Sequence, residues 1–343
     1  MGHHADHAHA LRAGHVDHAL VLRRRGCVPG AADVLTPEES ASRRRKWIGG
    51  ASQRKSVTFY REAVYRPLGD LYLTVEFGDE LNLLLNFRVI ALDTALRATA
   101  IPGVTETIPT NRSLGIVYDP FVITRERLVS QLKEIEQRMG EIKELPSRHI
   151  TIPIWYNDSW SQECAKAHGA PNNLEYMAEI NHTSVGDVIR AHAATEWWVS
   201  AVGFQPACYQ ALPLDPAFSV SAPKYPRPRK WTPERILCQA GKLTSFYPVR
   251  SPGGYQLLGR TPIELYDPKQ QNRVFRDGPV LPRVSDRHTY VPIDEATYWQ
   301  IRRQYEAGAY EYQIREGSYR LQDYLDKLAV HNRHRVPQAP GSV

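Results

Sequence analysis

Ala222-Pro-Lys-Tyr-Pro-Arg-Pro-Arg-Lys-Trp-Thr-Pro-Glu234, followed by Ser251-Pro-Gly-Gly-Tyr-Gln-Leu-Leu-Gly-Arg-Thr-Pro262, is the most informative stretch of this 343-residue sequence. Pro252-Gly253-Gly254 permits a tight backbone turn whose exposed N–H groups can meet an anion. Arg260 follows shortly after, beside Gly259, while Arg227 and Arg229 lie in an extended, proline-restricted segment. A guanidinium fork in such a setting binds a carboxylate or carboxyphosphate in bidentate fashion. The same residues also suit a set of structural turns carrying surface arginines, and spacing alone does not separate the two readings.

Upstream, Leu71, Leu73, Val75 and Phe77 alternate with Tyr72, Thr74 and Glu76, the period of a half-buried strand. The pattern from Asn82 to Arg97 predicts a helix with a wide apolar face. Gly103–Ile108 and Ser113–Tyr118 are short apolar runs separated by Pro109-Thr110-Asn111. Arg125–Lys143 is predicted as a second amphipathic helix, because Leu128, Leu132, Ile135 and Met139 fall three or four apart. With a return strand at His149–Trp155, this order suggests a small α/β sandwich. Two short helices are expected over 172–181 and 184–194, Ser184 capping the second. From Trp197 onward, short strands punctuated by Pro and Gly read as a β-barrel or sandwich, with Trp197 and Trp198 in its core. A helix over 294–305, a strand over 310–314 and a short helix over 321–328 complete the pattern.

The net charge of +6 is not gathered into one tract, and the clusters Arg23–Arg25 and Arg43–Lys46 come without a nucleic-acid recognition signature. Cys27, Cys164, Cys208 and Cys238 form no CxxC pair, which argues for reduced thiols in a cytoplasmic protein and against a zinc site. No apolar run is long enough to span a membrane. His3, His4, His7, His9, His15 and His18 crowd the start; a metal tract is conceivable there, but an extension without a folded role is the simpler reading. P-loop, GxSxG, HExxH and GxGxxG patterns are absent, so nothing points to a self-contained kinase, hydrolase or dehydrogenase.

The two motif segments resemble the KYxPxRxWTPE and PGGYQxxGRT pattern in the carboxyltransferase region of urea carboxylases. The wider family includes the B subunit of 5-oxoprolinase, allophanate-hydrolase subunit 1 and an inhibitor of a sporulation histidine kinase. Gly69–Gly78, Asn86-Phe87-Arg88-Val89, Gly103–Pro109, Arg112–Leu114, Tyr118-Asp119-Pro120, Asn173–Tyr176 and Tyr290–Asp294 agree with the family in order, so the resemblance covers roughly 57–328. Three departures stand out: Ala207 replaces a glycine, Asn173 replaces an aspartate, and the Asp277-Gly278-Pro279 turn has altered sequence beyond it.

The resemblance implies an α+β fold, a small N-terminal α/β domain over 56–148 followed by a cyclophilin-like β-barrel carboxyltransferase-type domain over 149–328. Residues 1–55 are then a His/Arg-rich extension and 329–343 a tail. It further implies half of a shared site, completed by a subunit-C/subunit-2-like barrel protein. In a heteromeric ATP-dependent carboxylase, this half-site would move a carboxyl group from carboxybiotin to a small urea-, amide- or ketone-like acceptor. No biotin-attachment sequence is present, so biotin carboxylase, the biotin carrier and the use of ATP would belong to partners. In that picture Arg227, Arg229 and Arg260 neutralise the carboxyl group, Gly253 and Gly254 supply amides, and Tyr255 completes the binding set. His192, with Glu196 orienting it one helical turn on, acts in proton transfer. The other readings are the B subunit of an ATP-dependent cyclic-amide hydrolase of the 5-oxoprolinase type and a non-catalytic histidine-kinase regulator.

Overall fold

A computed structural model describes residues 59–140 and 142–335, with side chains to 332. The His-rich tract, Cys27 and both early arginine clusters lie outside the described residues.

Four strands, β1 (Phe59–Leu68), β2 (Tyr72–Gly78), β3 (Val104–Pro109) and β4 (Ser113–Tyr118), make an antiparallel sheet in the order β1-β2-β4-β3. The alternation in β2 sends Leu73, Val75 and Phe77 to one face. There they pack with Leu114 and Ile116 against α1 (Leu83–Thr99) and α2 (Arg125–Met139). Asn82 caps α1 by accepting from the Leu84 N–H, and Thr124 caps α2 by accepting from the Arg127 N–H. α2 stops at Met139, short of the predicted Lys143, because Gly140 turns the chain at a φ of 62°.

The predicted return strand is a correction. β6 (His149–Tyr156) does not join the small sheet, and its isoleucines Ile150, Ile152 and Ile154 lie in a separate core. It pairs in parallel with β14 (Arg287–Pro292) and antiparallel with β13 (Gln256–Arg260). Alternating isoleucines suit either sheet, and the partner that decides the matter lies far along the chain. With β7 (Trp197–Val202), β8 (Tyr209–Pro213), β10 (Ile236–Ala240) and β11 (Leu243–Tyr247), these strands run β13-β10-β11-β8-β7-β14-β6 and close through β13–β6 into a seven-stranded barrel. The α+β class with a C-terminal barrel therefore stands. β15 (Gln313–Arg315) pairs antiparallel with the start of β6, at His149–Thr151. Two short ribbons, β12 (Ser251–Gly253) with β9 (Arg229–Thr232) and β16 (Ser318–Arg320) with β5 (Glu144–Pro146), lie outside the barrel sheet.

Helices α4 (Asn173–Ile180), α5 (Val185–Ala194) and α6 (Glu295–Glu306) follow the predicted pattern, and Ser184 does cap α5, whereas α3 (Ser159–Ala167), capped by Asp158, is not among the predicted elements. The last helix, α7 (Leu321–Arg335), runs beyond the predicted 328 into the segment expected to be a tail.

Sheet and barrel meet through a third core in which Leu83, Phe87 and Ile90 of α1 touch Trp198, Leu212 and Leu214. Asn86, fully buried there, donates to the carbonyls of Thr110 (3.0 Å) and Ser200 (2.9 Å) and accepts from Trp198 Nε1 at 2.8 Å. Every polar atom of that amide is satisfied, so it fixes the β3–β4 turn against the barrel. Among the described residues, no helix is long and apolar enough to cross a membrane.

Candidate functional site

The β3–β4 turn, the end of β7, the start of β8, the end of β11 and the two motif segments enclose a cleft of about 740 Å³. Its walls are largely aromatic, from Phe204, Tyr209, Tyr225, Tyr247 and Tyr255. Phe204 is 80% exposed at the rim, with a positive φ of 77°. The polar side is a chain of hydrogen bonds. Ser200 Oγ donates to Asn111 (2.6 Å), Asn111 Nδ2 donates to Gln210 Oε1 (2.5 Å), and Gln210 Nε2 reaches the Tyr255 hydroxyl (3.5 Å). Lys224 brings a cation to the wall, its ammonium 5.1 Å from the centre of the Tyr255 ring.

Of the residues singled out from sequence, Gly253, Gly254 and Tyr255 line this cleft. The glycines are used differently from the expectation. A Cβ on Gly253 would fall among the ring atoms of Tyr247, so the missing side chain lets that phenol lie against the backbone. The Tyr255 N–H donates to the Tyr247 hydroxyl at 3.2 Å, and the Gly254 carbonyl accepts from the Tyr225 N–H at 2.7 Å. These groups shape the wall by positioning two tyrosines. Gly253→Ala is expected to cost about 1–3 kcal/mol through displacement of the Tyr247 ring. Most of that loss should disappear in the double variant with Tyr247→Ala, a coupling read by denaturant unfolding of the four proteins of the cycle.

The three arginines part company. Arg227 is exposed and does not line the cleft. Arg260, buried at the far end of β13, ion-pairs with the Glu234 carboxylate, donates to its carbonyl at 3.2 Å, and stacks 4.0 Å above the Trp160 ring. That guanidinium is committed to structure. Arg229 is 2% exposed and sits behind the cleft wall, its guanidinium carbon 4.5 Å from the Tyr225 ring centre and 5.9 Å from that of Tyr247. Its Nε donates to Thr232 Oγ1 at 3.2 Å, while Nη1 and Nη2 have no acceptor.

His192 is a second correction, because it is completely buried and does not line the cleft. Thr244 Oγ1 donates to the Cys238 carbonyl (3.1 Å) and must therefore accept from His192 Nε2–H (3.1 Å). Nδ1 is then the lone-pair nitrogen and accepts from the Tyr156 hydroxyl at 2.9 Å. Burial pushes the imidazole pKa down to about 3, so the ring is a neutral bridge with neither nitrogen free for proton transfer. Glu196 does not orient it, since α5 ends at Ala194 and Thr195 is extended; Glu196 instead lies 3.4 Å from both His149 and Arg287.

Residues that sequence reasoning passed over are Lys224, Tyr225, Tyr247, Asn111 and Gln210, all on the cleft wall. Lys224 and Tyr225 stood in the quoted motif and Asn111 in the quoted turn; nothing local marked Tyr247 or Gln210. The departures from the family pattern also find places. Asn173 is buried, accepts from the Leu257 N–H (2.7 Å) and donates to the Tyr225 hydroxyl (2.5 Å). Ala207 adopts a φ of 57°, a conformation that costs about 1 kcal/mol without glycine, and its methyl packs in the main core. Cys164, Cys208 and Cys238 are buried free thiols, and the described residues hold no cluster of three or more metal-ligating side chains.

Residues 63–276 match the family described as carboxyltransferase domain, subdomain C and D. The chain belongs to that family. It is 30% identical over 243 residues to the 5-oxoprolinase B subunit of Bacillus subtilis, covering 67% of this chain and 93% of that protein. It is 28% identical over 279 residues to urea amidolyase of Saccharomyces cerevisiae, covering 77% of this chain but 15% of that much longer protein. The crystal structure of K. lactis urea amidolyase superposes with a TM-score of 0.72 at 25% identity, over 79% of this chain and 17% of that one. This family member thus spans nearly all of the Bacillus subtilis protein and a small share of a urea amidolyase. The family match ends at 276, before β14, which the barrel needs to connect β7 with β6.

Proposed function

We propose that this chain supplies one wall of a carboxyl-transfer site in a heteromeric ATP-dependent carboxylase. The carboxyl group passes there from carboxybiotin, delivered by another chain or domain, to a small urea-, amide- or ketone-like acceptor. The observation that carries the reading is the meeting of both motif segments on one aromatic cleft, with the Lys224 ammonium on its wall and the Arg229 guanidinium behind it.

The cleft suits two reactants. About 740 Å³ far exceeds a urea-sized acceptor, and the flat faces of Tyr225, Tyr247 and Tyr255 fit a ring-shaped carrier group. Biotin, when bound, supplies a transferable carboxyl group. The chain's own residues hold and orient: Lys224 pairs with developing negative charge, the Asn111–Gln210–Tyr255 chain presents polar groups to the acceptor, and the rings exclude water. Biotin carboxylase, the carrier and a subunit-2-like barrel protein complete the assembly. The second reading is a component of a 5-oxoprolinase-type cyclic-amide hydrolase, favoured by the near-complete coverage of the Bacillus subtilis relative.

Affinity purification from the native cell separates the two. Co-purifying biotin carboxylase and biotin carrier support carboxyl transfer, a hydrolase-type partner supports the second reading, and full activity of this chain alone on any substrate overturns the shared site. In the reconstituted assembly, Lys224→Ala is expected to lower kcat/KM by about 10- to 100-fold, the effect of removing one hydrogen bond to a charged group. Unchanged kinetics would remove Lys224 from the site.

A further inference from the structure

Arg229 is an anomaly for a buried cation. Among the described residues no carboxylate pairs with it, and two of its three guanidinium nitrogens donate to nothing. Unpaired buried charge is strongly unfavourable, and a buried polar group left without partners calls for an explanation, of which a ligand site is one. What separates those nitrogens from the cleft is aromatic: Tyr225 and Tyr247 lie on the cleft wall and against the guanidinium at once.

The two rings are held differently. Tyr247 is buried, wedged against Gly253, and its hydroxyl accepts from the Tyr255 backbone. Tyr225 is half-exposed, and its side chain is fastened by one hydrogen bond, from Asn173 Nδ2 to its hydroxyl at 2.5 Å. Its backbone N–H bond to Gly254 survives any rotation of the side chain. We infer that Tyr225 is a movable cover over a cryptic carboxylate site formed by the Nη atoms of Arg229 and the hydroxyl of Thr232. Thr232 is fully buried and accepts from Arg229 Nε, so its own proton is available to an incoming oxygen. Opening requires only the Asn173 bond to break and the stacked ring to swing aside. The exposed fork then matches a planar oxyanion, a carboxylate or carbonate, in bidentate geometry. Its ligand is a molecule with such an end on a flat or apolar body that fills the cleft. Asn173 is the latch: its Oδ1 is taken by the Leu257 N–H, which turns Nδ2 toward the phenol.

This inference rests on the cleft being the ligand site, and it is tested without partners. The full chain is titrated with acetate and with bicarbonate against chloride at constant ionic strength, and the thermal unfolding midpoint is followed. Acetate is expected to raise the midpoint of the parent protein. Tyr225→Ala should tighten acetate binding about tenfold or more, since the competent state is no longer a minor fraction, and Asn173→Ala should fall between. Arg229→Gln should abolish the response; should that variant not fold, the Tyr225→Ala comparison decides alone. Acetate binding no tighter in Tyr225→Ala than in the parent overturns the cryptic site. So does a response that survives Arg229→Gln and disappears in Lys224→Ala, which places the anion on the cleft wall and leaves the carboxyl-transfer reading intact. Tight acetate binding in a chain that recruits no carboxylase subunits supports the site while counting against carboxyl transfer.

Discussion

Gly259→Ala is expected to lower stability by about 3 kcal/mol or more, the high end of what an added methyl costs in a packed interior. A Cβ on this residue would sit 2.5 Å from the Trp155 carbonyl oxygen and 2.8 Å from Tyr156 Cα. Both are backbone atoms of β6, the strand on which β13 closes the barrel through Gly259–Tyr156 and Arg260–Trp155. A flexible side chain could yield to the methyl, whereas paired backbone cannot move without opening the seam. Urea unfolding followed by tryptophan fluorescence reads the effect. Gly254→Ala is the control, because its added Cβ would meet nothing closer than 3.9 Å. A Gly259→Ala protein as stable as the parent would show that the seam is not closely packed at this residue.

The second large effect is acid lability centred on His192. An imidazole whose pKa falls from about 6.5 in the unfolded chain to about 3 in the fold binds its proton more readily when unfolded. Its contribution to stability is therefore complete above pH about 6.5 and is lost progressively as the pH falls toward the folded value. The slope approaches 1.4 kcal/mol per pH unit, or about 2 kcal/mol between pH 7 and pH 5. His149, whose pKa burial also lowers, adds in the same direction. Asp158, buried at the start of α3 with its pKa raised to about 6, opposes it, because its folded form holds a proton that the unfolded form releases. The comparison that isolates His192 is thus parent against His192→Gln at matched pH, by urea midpoint. The variant is expected to start lower at pH 7 and to lose about 2 kcal/mol less on going to pH 5. Parallel pH profiles would contradict a neutral, doubly hydrogen-bonded ring.

Local pattern carried much of this architecture. Alternation in β2, the three-and-four spacing of α2 and the Ser184 cap reflect forces acting within a few residues. The two motif segments do meet at one cleft. What local pattern could not supply was which of three similar arginines lies against the cleft wall. In sequence Arg227, Arg229 and Arg260 look equivalent. The β12–β9 pairing sets Arg229 opposite Gly253 and behind two tyrosines, whereas β13 carries Arg260 to Glu234 on the far side. His192 misled for a related reason. A histidine on an amphipathic helix is chemically versatile until Tyr156 and Thr244, brought by two distant strands, occupy both nitrogens. Asn111 was visible only as a turn residue, yet the anchoring of that turn by Asn86 makes it part of the cleft.

The parallel pairing of β6 with β14 has a consequence for how the chain is made. β6 takes three neighbours, β13, β14 and β15, and all three follow it in the chain. While the ribosome works through the residues after 156, Ile150, Ile152 and Ile154 lack these strand partners, whereas the four-stranded sheet already has all its strands. The barrel consequently cannot close before β14, its strand between β7 and β6, is complete at Pro292. Such an apolar strand, waiting on a nascent chain, is a natural client for a chaperone.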